Sequence, residues 1–213
     1  MKNLVILSGA GMSAESGISP FRDAGGLWDK YPVEQVATPE GYARNPELVI
    51  NFYNERRKQL LDVVPNAGHL GVADLERDFN VTVVTQNVDN LHERAGSTHV
   101  IHLHGELTKV CSSRDPYNPH FVKELAPEEY EVKLGDKAGD GTQLRPFIVW
   151  FGESVPEIKT AIRYVKQADI FVIIGTSLNV YPAAGLLNYV PRAAEVYLID
   201  PKPVDTHVMR PIH

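Results

Sequence analysis

The sequence predicts an α/β protein built on a Rossmann-like, doubly wound parallel sheet with a smaller inserted lobe. Its short apolar runs are continuous rather than alternating, as in strands that are covered on both faces. Helical patterns separate several of these runs, and strands that alternate with helices favour a parallel sheet. The 213 residues, 43% of them hydrophobic, suffice for one such domain with an insertion.

Five apolar runs are predicted to form buried strands. They are Leu4–Leu7, Val81–Thr85, Phe147–Phe151, Ile170–Ile174 and Val196–Ile199. A sixth candidate is Val100–His104, in which alternate positions place two histidines on one face.

Four segments have the residue spacing of helices. In Pro46–Val64, apolar residues recur at three- and four-residue steps, and Pro46 suits a first helical turn. The other candidates are His69–Phe79, Pro156–Ala168 and Pro182–Val190.

Two stretches interrupt the alternation of strands and helices. Residues 29–65 contain a loop and a helix but no apolar strand, and residues 106–145 are polar and weakly periodic. We therefore predict a Rossmann-like domain and a small lobe. The domain comprises residues 1–28, 66–105 and 143–213, and the lobe comprises residues 29–65 and 106–142.

Composition excludes several classes of protein. The net charge of −6 argues against binding nucleic acid or an anionic membrane through bulk charge. No apolar run approaches the roughly 20 residues of a membrane helix. The single cysteine, Cys111, excludes an intrachain disulfide framework and fits a reducing compartment. We expect a cytoplasmic protein.

A glycine motif follows the first predicted strand directly. Gly9–Ala14 matches G-x-G-x-x-G/A, in which glycines let backbone N–H groups approach a pyrophosphate. By itself the motif is also typical of a plain tight turn. An ordinary dehydrogenase is disfavoured, because such a fold needs a second strand within about 30 residues, and none is predicted before Val81.

Five sequence blocks resemble the sirtuin family of NAD-dependent protein-lysine deacylases and occur in that family's order. They are GAGMSAESGISPFR at Gly9–Arg22, TQNVD at Thr85–Asp89, HGEL at His104–Leu107, LRPFIVWFGE at Leu144–Glu153 and GTSLNVYPAA at Gly175–Ala184. The resemblance implies an NAD-binding Rossmann-like domain and a cleft in which NAD and an acylated lysine of a protein substrate meet.

The resemblance also implies roles for individual residues. His104 is the implied general base, and an imidazole suits that role at neutral pH; Asn87 is the second implied catalytic residue. The implied NAD-binding residues are Gly9, Ala10, Gly11, Ser13 and Ala14 at the pyrophosphate, Phe21, Arg22 and Trp28 on the cofactor loop, Gln86, Asn87, Val88 and Asp89 at the ribose and nicotinamide, and Gly175, Thr176, Ser177, Ile199 and Asp200 on the adenosine side.

Residues 37–57 resemble the sirtuin subgroup, class III, that removes negatively charged acyl groups such as succinyl and malonyl. Its Y-x-x-R pattern is Tyr53 and Arg56 here, with the small residue Ala37 leaving room for a longer acyl chain. A guanidinium binds a carboxylate through two charge-assisted hydrogen bonds, and a phenol adds a third. The residues alone also fit a Tyr53 that packs in the core and an Arg56 that is solvated.

The residues leave alternatives open for metal binding. His99, His102 and His104 suggest a metal site, because the H-x-H pair His102 and His104 places two imidazoles on one face of a strand. No third ligand for that face is evident, so we predict no metal site. Most sirtuins hold a structural zinc with two C-x-x-C pairs, whereas Cys111 is the only cysteine of this sequence, so no zinc is expected.

An alternative also stays open for Asp89, because an aspartate at this position fits a simple helix cap.

The activity has alternatives as well. An NAD glycohydrolase or a mono-ADP-ribosyltransferase on the same scaffold shares the cleavage of nicotinamide. A module that holds NAD or ADP-ribose without turnover is a further alternative, and His104 argues against it.

Overall fold

The computed structural model describes residues 1–18, 30–206 and 208–213. Its strands are β1 (Lys2–Ser8), β2 (Phe79–Thr85), β3 (Val100–His102), β4 (Gly105–Ser112), β5 (Lys123–Glu124), β6 (Leu144–Ile148), β7 (Ile170–Ile174) and β8 (Glu195–Ile199). Five of them form a parallel sheet in the order β3-β2-β1-β7-β8. The order reverses at β1, which is where ligands bind in open α/β sheets.

Six α-helices accompany the strands in the described residues. They are α1 (Val33–Val36), α2 (Pro39–Arg44), α3 (Pro46–Asp62), α4 (Ala67–Asp74), α5 (Leu91–Ala95) and α6 (Ile158–Val165). Shorter 3-10 helices span Ala10–Ser16, Leu75–Arg77, Pro119–Phe121, Pro127–Glu129 and Ala183–Tyr189.

Both faces of the parallel sheet are buried, as the continuous apolar runs predict. In β1, Val5 and Leu7 pack in one core cluster with Ala161 of α6, whereas Leu4 packs in another cluster with Val72 of α4. A doubly wound sheet is therefore confirmed.

The smaller lobe contains an antiparallel sheet in the order β5-β4-β6, which the sequence analysis does not anticipate. The predicted strand Phe147–Phe151 is wrong in position, because the observed strand ends at Ile148 and pairs with β4. Residues 106–145, interpreted as weakly periodic, contain most of β4. The candidate strand Val100–His104 ends early, since Gly105 at φ 85° starts β4, and a Cβ there would overlap the Phe147 carbonyl oxygen.

Helix boundaries follow their caps. The Asn45 side chain accepts from the Leu48 N–H at 3.1 Å, so α3 begins at Pro46 as predicted. The predicted helix His69–Phe79 is wrong at both ends. It begins earlier, because Asn66 caps α4, and Phe79 opens β2.

Two further segments differ from their predictions. The helix predicted for Pro156–Ala168 shortens to α6, and the segment predicted over Pro182–Val190 is a 3-10 helix. Residues 143–213, predicted as part of the Rossmann-like domain, begin with a strand of the smaller sheet. The division into two domains stays a prediction. Within the described residues, no helix has the length and apolar character needed to cross a membrane.

Candidate active site at the carboxyl ends of the parallel strands

The predicted NAD-binding residues follow the carboxyl ends of neighbouring parallel strands. The glycine motif follows β1, Gln86–Asp89 follow β2, and Gly175–Ser177 follow β7. His104 comes two residues after β3, Ile199 ends β8, and Asp200 follows it. The sheet therefore brings these segments to one edge, where α/β folds bind their ligands. Phe21, Arg22 and Trp28 lie outside the described residues.

Two of these loops pack backbone against backbone. The Gly9 N–H donates to the Ile174 carbonyl at 3.0 Å, and the Gly11 N–H donates to the Gly175 carbonyl at 2.9 Å. A Cβ on Gly9 would lie 2.6 Å from the Thr176 Cβ. Gly175 has φ 61°, and a Cβ on it would overlap the backbone of the first loop. Glycine is required here by close approach and by a left-handed backbone.

The Ser13 hydroxyl is the centre of a buried hydrogen-bond network. It donates to Asp89 Oδ2 at 2.9 Å and accepts from Asn87 Nδ2 at 3.2 Å. His69 Nδ1 accepts from the Asn66 N–H at 3.2 Å, so His69 Nε2 carries the proton and faces the Ser13 oxygen at 3.4 Å. Burial lowers the pKa of His69 and favours this neutral form. Ser13 is engaged by protein groups, so in this structure it orients Asn87 and Asp89.

Asp89 serves two purposes with its two carboxylate oxygens. Oδ1 accepts from the Leu91 N–H, the first N–H of α5, at 3.1 Å. Oδ2 accepts from Ser13, as described above. Asp89 therefore binds the first N–H of α5 and belongs to the Ser13 network, and its role in NAD binding stays a prediction.

A second buried network, which the sequence analysis does not identify, ends on the backbone of Asn87. Ser8 Oγ donates to Thr85 Oγ1 at 2.9 Å, and that oxygen also accepts from the Asn87 N–H at 3.0 Å. Ser8 therefore accepts from His92 Nε2 at 3.0 Å. Burial, and then the nearby His69, lower the pKa of His92 to about 4, so the ring is neutral at neutral pH.

One signal could have found part of these networks. Asn66 and His69 form a capping box, a pattern readable from their three-residue spacing. The residues that connect His92 to this network lie on β1 and β2, far away in sequence, and no local pattern predicts them.

His104 is held in the tautomer that a general base needs. Its Nδ1 lies 3.1 Å from the Gln86 carbonyl oxygen. A carbonyl oxygen only accepts hydrogen bonds, so Nδ1 carries the proton and Nε2 keeps its lone pair. Burial lowers the pKa of His104, against a smaller opposite effect of the Gln86 bond. The Gln86 side chain in turn donates to Thr176 Oγ1 at 2.9 Å and joins the loops after β2 and β7.

His102 is paired with a carboxylate, unlike His104. Its ring nitrogens face the Asn87 carbonyl oxygen at 2.9 Å and Glu93 Oε1 at 2.6 Å, so both nitrogens donate. Burial lowers the pKa of His102, but its bond to Glu93 and the Glu93 charge outweigh burial and raise it overall. Possible metal ligand atoms of Glu93, His102 and Glu106 lie within 4.8 Å of one another. No sequence pattern pointed to these two carboxylates. Both His102 nitrogens already donate to oxygen atoms, so neither offers a lone pair to a metal in this structure.

The predicted acyl-binding residues lie on and beside α3. Ala37 and Tyr53 belong to one buried apolar cluster with Trp150, whose Nε1 donates to Tyr53 Oη at 3.1 Å. Arg56 lies at the edge, with its Cζ 5.4 Å from the centre of the Phe52 ring. The structure records no contact between the Tyr53 and Arg56 side chains.

The Arg56 side chain is 19% exposed, and its Nη2 lies 3.8 Å from Glu55 Oε2, a carboxylate oxygen of the preceding residue. Its Nε is buried without a hydrogen-bond partner among the described residues. The neighbouring Arg57 instead donates to the carbonyls of Tyr130 and Leu107. Arg56 is therefore a partly buried cation whose Nε has no partner among the described residues, while Tyr53 packs in the core, as the alternative interpretation expects.

The small lobe lacks the donor set of a sirtuin zinc site. Cys111 is buried, its Sγ faces the Pro146 carbonyl oxygen at 3.7 Å, and burial raises the pKa of its thiol to about 12. Ser112 Oγ instead donates to Asp140 Oδ2 at 2.6 Å and lies 3.0 Å from Thr142 Oγ1. A closed zinc site needs four ligands, usually thiolates or imidazoles. The residues here form a hydrogen-bonded cluster and do not fit the metal.

Comparisons with known proteins agree with this geometry. The sequence model described as "Sir2 family" matches residues 9–182. A Bacteroides thetaiotaomicron protein named NAD-dependent protein deacylase is 84% identical over 213 residues, covering 100% of this chain and 91% of the relative. The solved structure of a Sir2 homologue mutant with ADP-ribose has a TM-score of 0.86 at 40% identity, covering 95% of this chain and 82% of the other. A Sir2 mutant structure with a deacetylated p53 peptide and 3′-O-acetyl-ADP-ribose has a TM-score of 0.82 at 30% identity, covering 99% and 86%.

Proposed function

The chain belongs to the Sir2 family, and we propose that it removes acyl groups from lysine side chains of proteins while it consumes NAD. Nicotinamide and O-acyl-ADP-ribose are the products. The family match and the relatives named NAD-dependent protein deacylase support this activity. The single observation that carries it is His104, a partly buried imidazole beside the loop of Gln86 and Asn87, whose proton is held on Nδ1 and whose Nε2 keeps its lone pair.

The cleft residues divide the chemistry among them. Bound NAD would supply the electrophilic ribose carbon for the acyl oxygen, with nicotinamide as the leaving group. Asn87 and Asp89, held by Ser13, offer an amide and a carboxylate, the donor and acceptor that match a carboxamide. His104 Nε2 takes the proton of a ribose hydroxyl, because a neutral imidazole is a competent base near pH 7. Gly9, Gly11 and Gly175 keep the loops close enough for a pyrophosphate to approach the backbone.

The acyl group that it prefers carries a negative charge, such as succinyl or malonyl. Arg56 supports this preference, because its buried Nε lacks a partner among the described residues and its partial burial strengthens pairing with a carboxylate. Ala37, in the same apolar cluster as Tyr53, is small and leaves more room beside it for a long acyl chain than a bulkier residue would.

We place the protein in the cytoplasm, because its single cysteine fits a reducing compartment. Its net charge of −6 supports protein substrates rather than nucleic acid or anionic membranes.

Mass spectrometry of the products tests the activity. The enzyme is incubated with NAD and an acylated lysine peptide, and we expect free lysine, nicotinamide and O-acyl-ADP-ribose in equal amounts. Free ADP-ribose without peptide deacylation favours an NAD glycohydrolase instead. A mass increase on protein favours an ADP-ribosyltransferase. Either result contradicts the proposed deacylase.

A further inference from the structure

The hydroxyl of Tyr53 is held from the core side by Trp150. The indole Nε1 lies 3.1 Å from Tyr53 Oη, and the two residues are 2% and 5% exposed. An indole N–H only donates, so the Tyr53 oxygen accepts this bond and keeps its own proton to give away. Burial raises the pKa of Tyr53, so that proton stays on the hydroxyl. No described residue accepts it.

Trp150 is itself fixed by a buried ion pair. The guanidinium carbon of Arg145 lies 3.5 Å from the centre of the indole, and the Tyr42 ring centre lies 5.2 Å away. Arg145 donates through both terminal nitrogens to Glu153, at 2.8 and 3.0 Å. Glu153 also accepts from the Trp150 backbone N–H at 2.8 Å. The indole is therefore confined by contacts to its ring and to its backbone.

We propose that Trp150 is a positioning residue for acyl selectivity. Its N–H occupies the Tyr53 oxygen, so the Tyr53 hydroxyl can only donate, and it donates to a negatively charged acyl group. This inference rests on the acyl preference proposed above. An acyl carboxylate accepts the Tyr53 proton in a charge-assisted hydrogen bond. The methyl of an acetyl group has no acceptor to offer. Trp150 therefore acts on the choice of acyl group, whereas His104 acts on every acyl group alike.

A double-mutant cycle tests the inference. Trp150→Phe keeps an aromatic ring beside Arg145 and removes the N–H. We expect the succinyl-to-acetyl ratio of kcat/KM to fall about 3- to 10-fold, the effect of one lost hydrogen bond. Tyr53→Phe should lower the ratio as well, and adding Trp150→Phe to it should lower the ratio no further. The matched control is Tyr117→Phe, which removes another hydrogen bond to Glu153 and should leave the ratio unchanged.

A second replacement protects the test from misfolding. Benzothienylalanine at position 150 has the shape of tryptophan with sulfur in place of the N–H, and it should lower the ratio as Trp150→Phe does. Three results overturn the role of Trp150 and leave the proposed acyl preference standing. They are an unchanged ratio in both replacements, an equal loss on both acyl groups, and effects that add to those of Tyr53→Phe. A wild-type enzyme that removes acetyl but no succinyl overturns the proposed acyl preference together with this inference.

Discussion

The Nδ1 atom of His104 lies 3.1 Å from the backbone carbonyl oxygen of Gln86. Gln86 follows β2 and His104 follows β3, so this contact links the proposed base to the neighbouring loop. Because the carbonyl fixes the proton on Nδ1, the lone pair is on Nε2. The backbone carbonyl of the loop, rather than another side chain, selects the tautomer of His104. Substitutions of the Gln86 side chain should therefore leave the tautomer unchanged.

His104→Ala should reduce the turnover of acyl-lysine peptides by about 10²- to 10⁴-fold, the range for a positioned general base. NAD affinity, measured by calorimetry, should change little, because the glycine loops remain. His120→Ala, which removes an exposed histidine, is the control and should behave as wild type. Near-native turnover of His104→Ala contradicts the assigned mechanism.

The pH profile of kcat/KM should show an acidic limb below pH 6.5, the ordinary pKa of histidine. The sign follows from burial, which lowers the pKa of His104 and so keeps the basic form populated to lower pH. Stopped assays from pH 5 to 8 with a fixed peptide measure the limb. A midpoint at or above 6.5 contradicts the expected direction.

Arg56→Met should lower kcat/KM for succinyl-lysine by about 10- to 100-fold, because a charge-assisted hydrogen bond is worth roughly 1.5–3 kcal/mol. Acetyl-lysine should be processed as well as before or better, since it offers no carboxylate.

Lys58→Met is the matched control for Arg56→Met, because it removes an exposed positive charge from the same helix. It should not change the ratio of the two substrates. Equal losses on succinyl and acetyl peptides in Arg56→Met show that Arg56 is merely structural.

Ser112→Ala should destabilise the small lobe, because it removes the hydroxyl that donates to Asp140 and accepts from the Arg114 and Asp115 N–H groups. Because the partners that lose these bonds are exposed or partly exposed, we expect a modest fall in Tm of roughly 1–6 °C for a chain of this size. Ser113→Ala is the control, since its side chain makes no hydrogen bond in the described residues.

The same lobe should be independent of zinc. We expect metal analysis of the purified wild-type protein to find no stoichiometric zinc, and a chelator to change neither Tm nor activity. Zinc at one ion per chain, or activity that is lost on chelation, contradicts this prediction.

The sequence by itself predicted the parallel sheet and the segments that follow its strands. Ile170–Ile174 is observed with its predicted bounds, and the glycine motif follows β1 as expected. These features are local, because a continuous apolar run and a glycine turn each carry their signal within a few residues. The carboxyl ends of parallel strands then necessarily meet at one edge.

Only the tertiary structure decided the small sheet and the bonds within the site. β4 and β6 pair Ser112 with Leu144 across a long loop, and the buried and partly buried positions of β4 do not alternate regularly enough to predict a strand. Trp150 and Tyr53 are 97 residues apart, and their hydrogen bond depends on how α3 packs against the chain after β6. Such contacts arise from packing of distant elements, so no local pattern in the sequence encodes them.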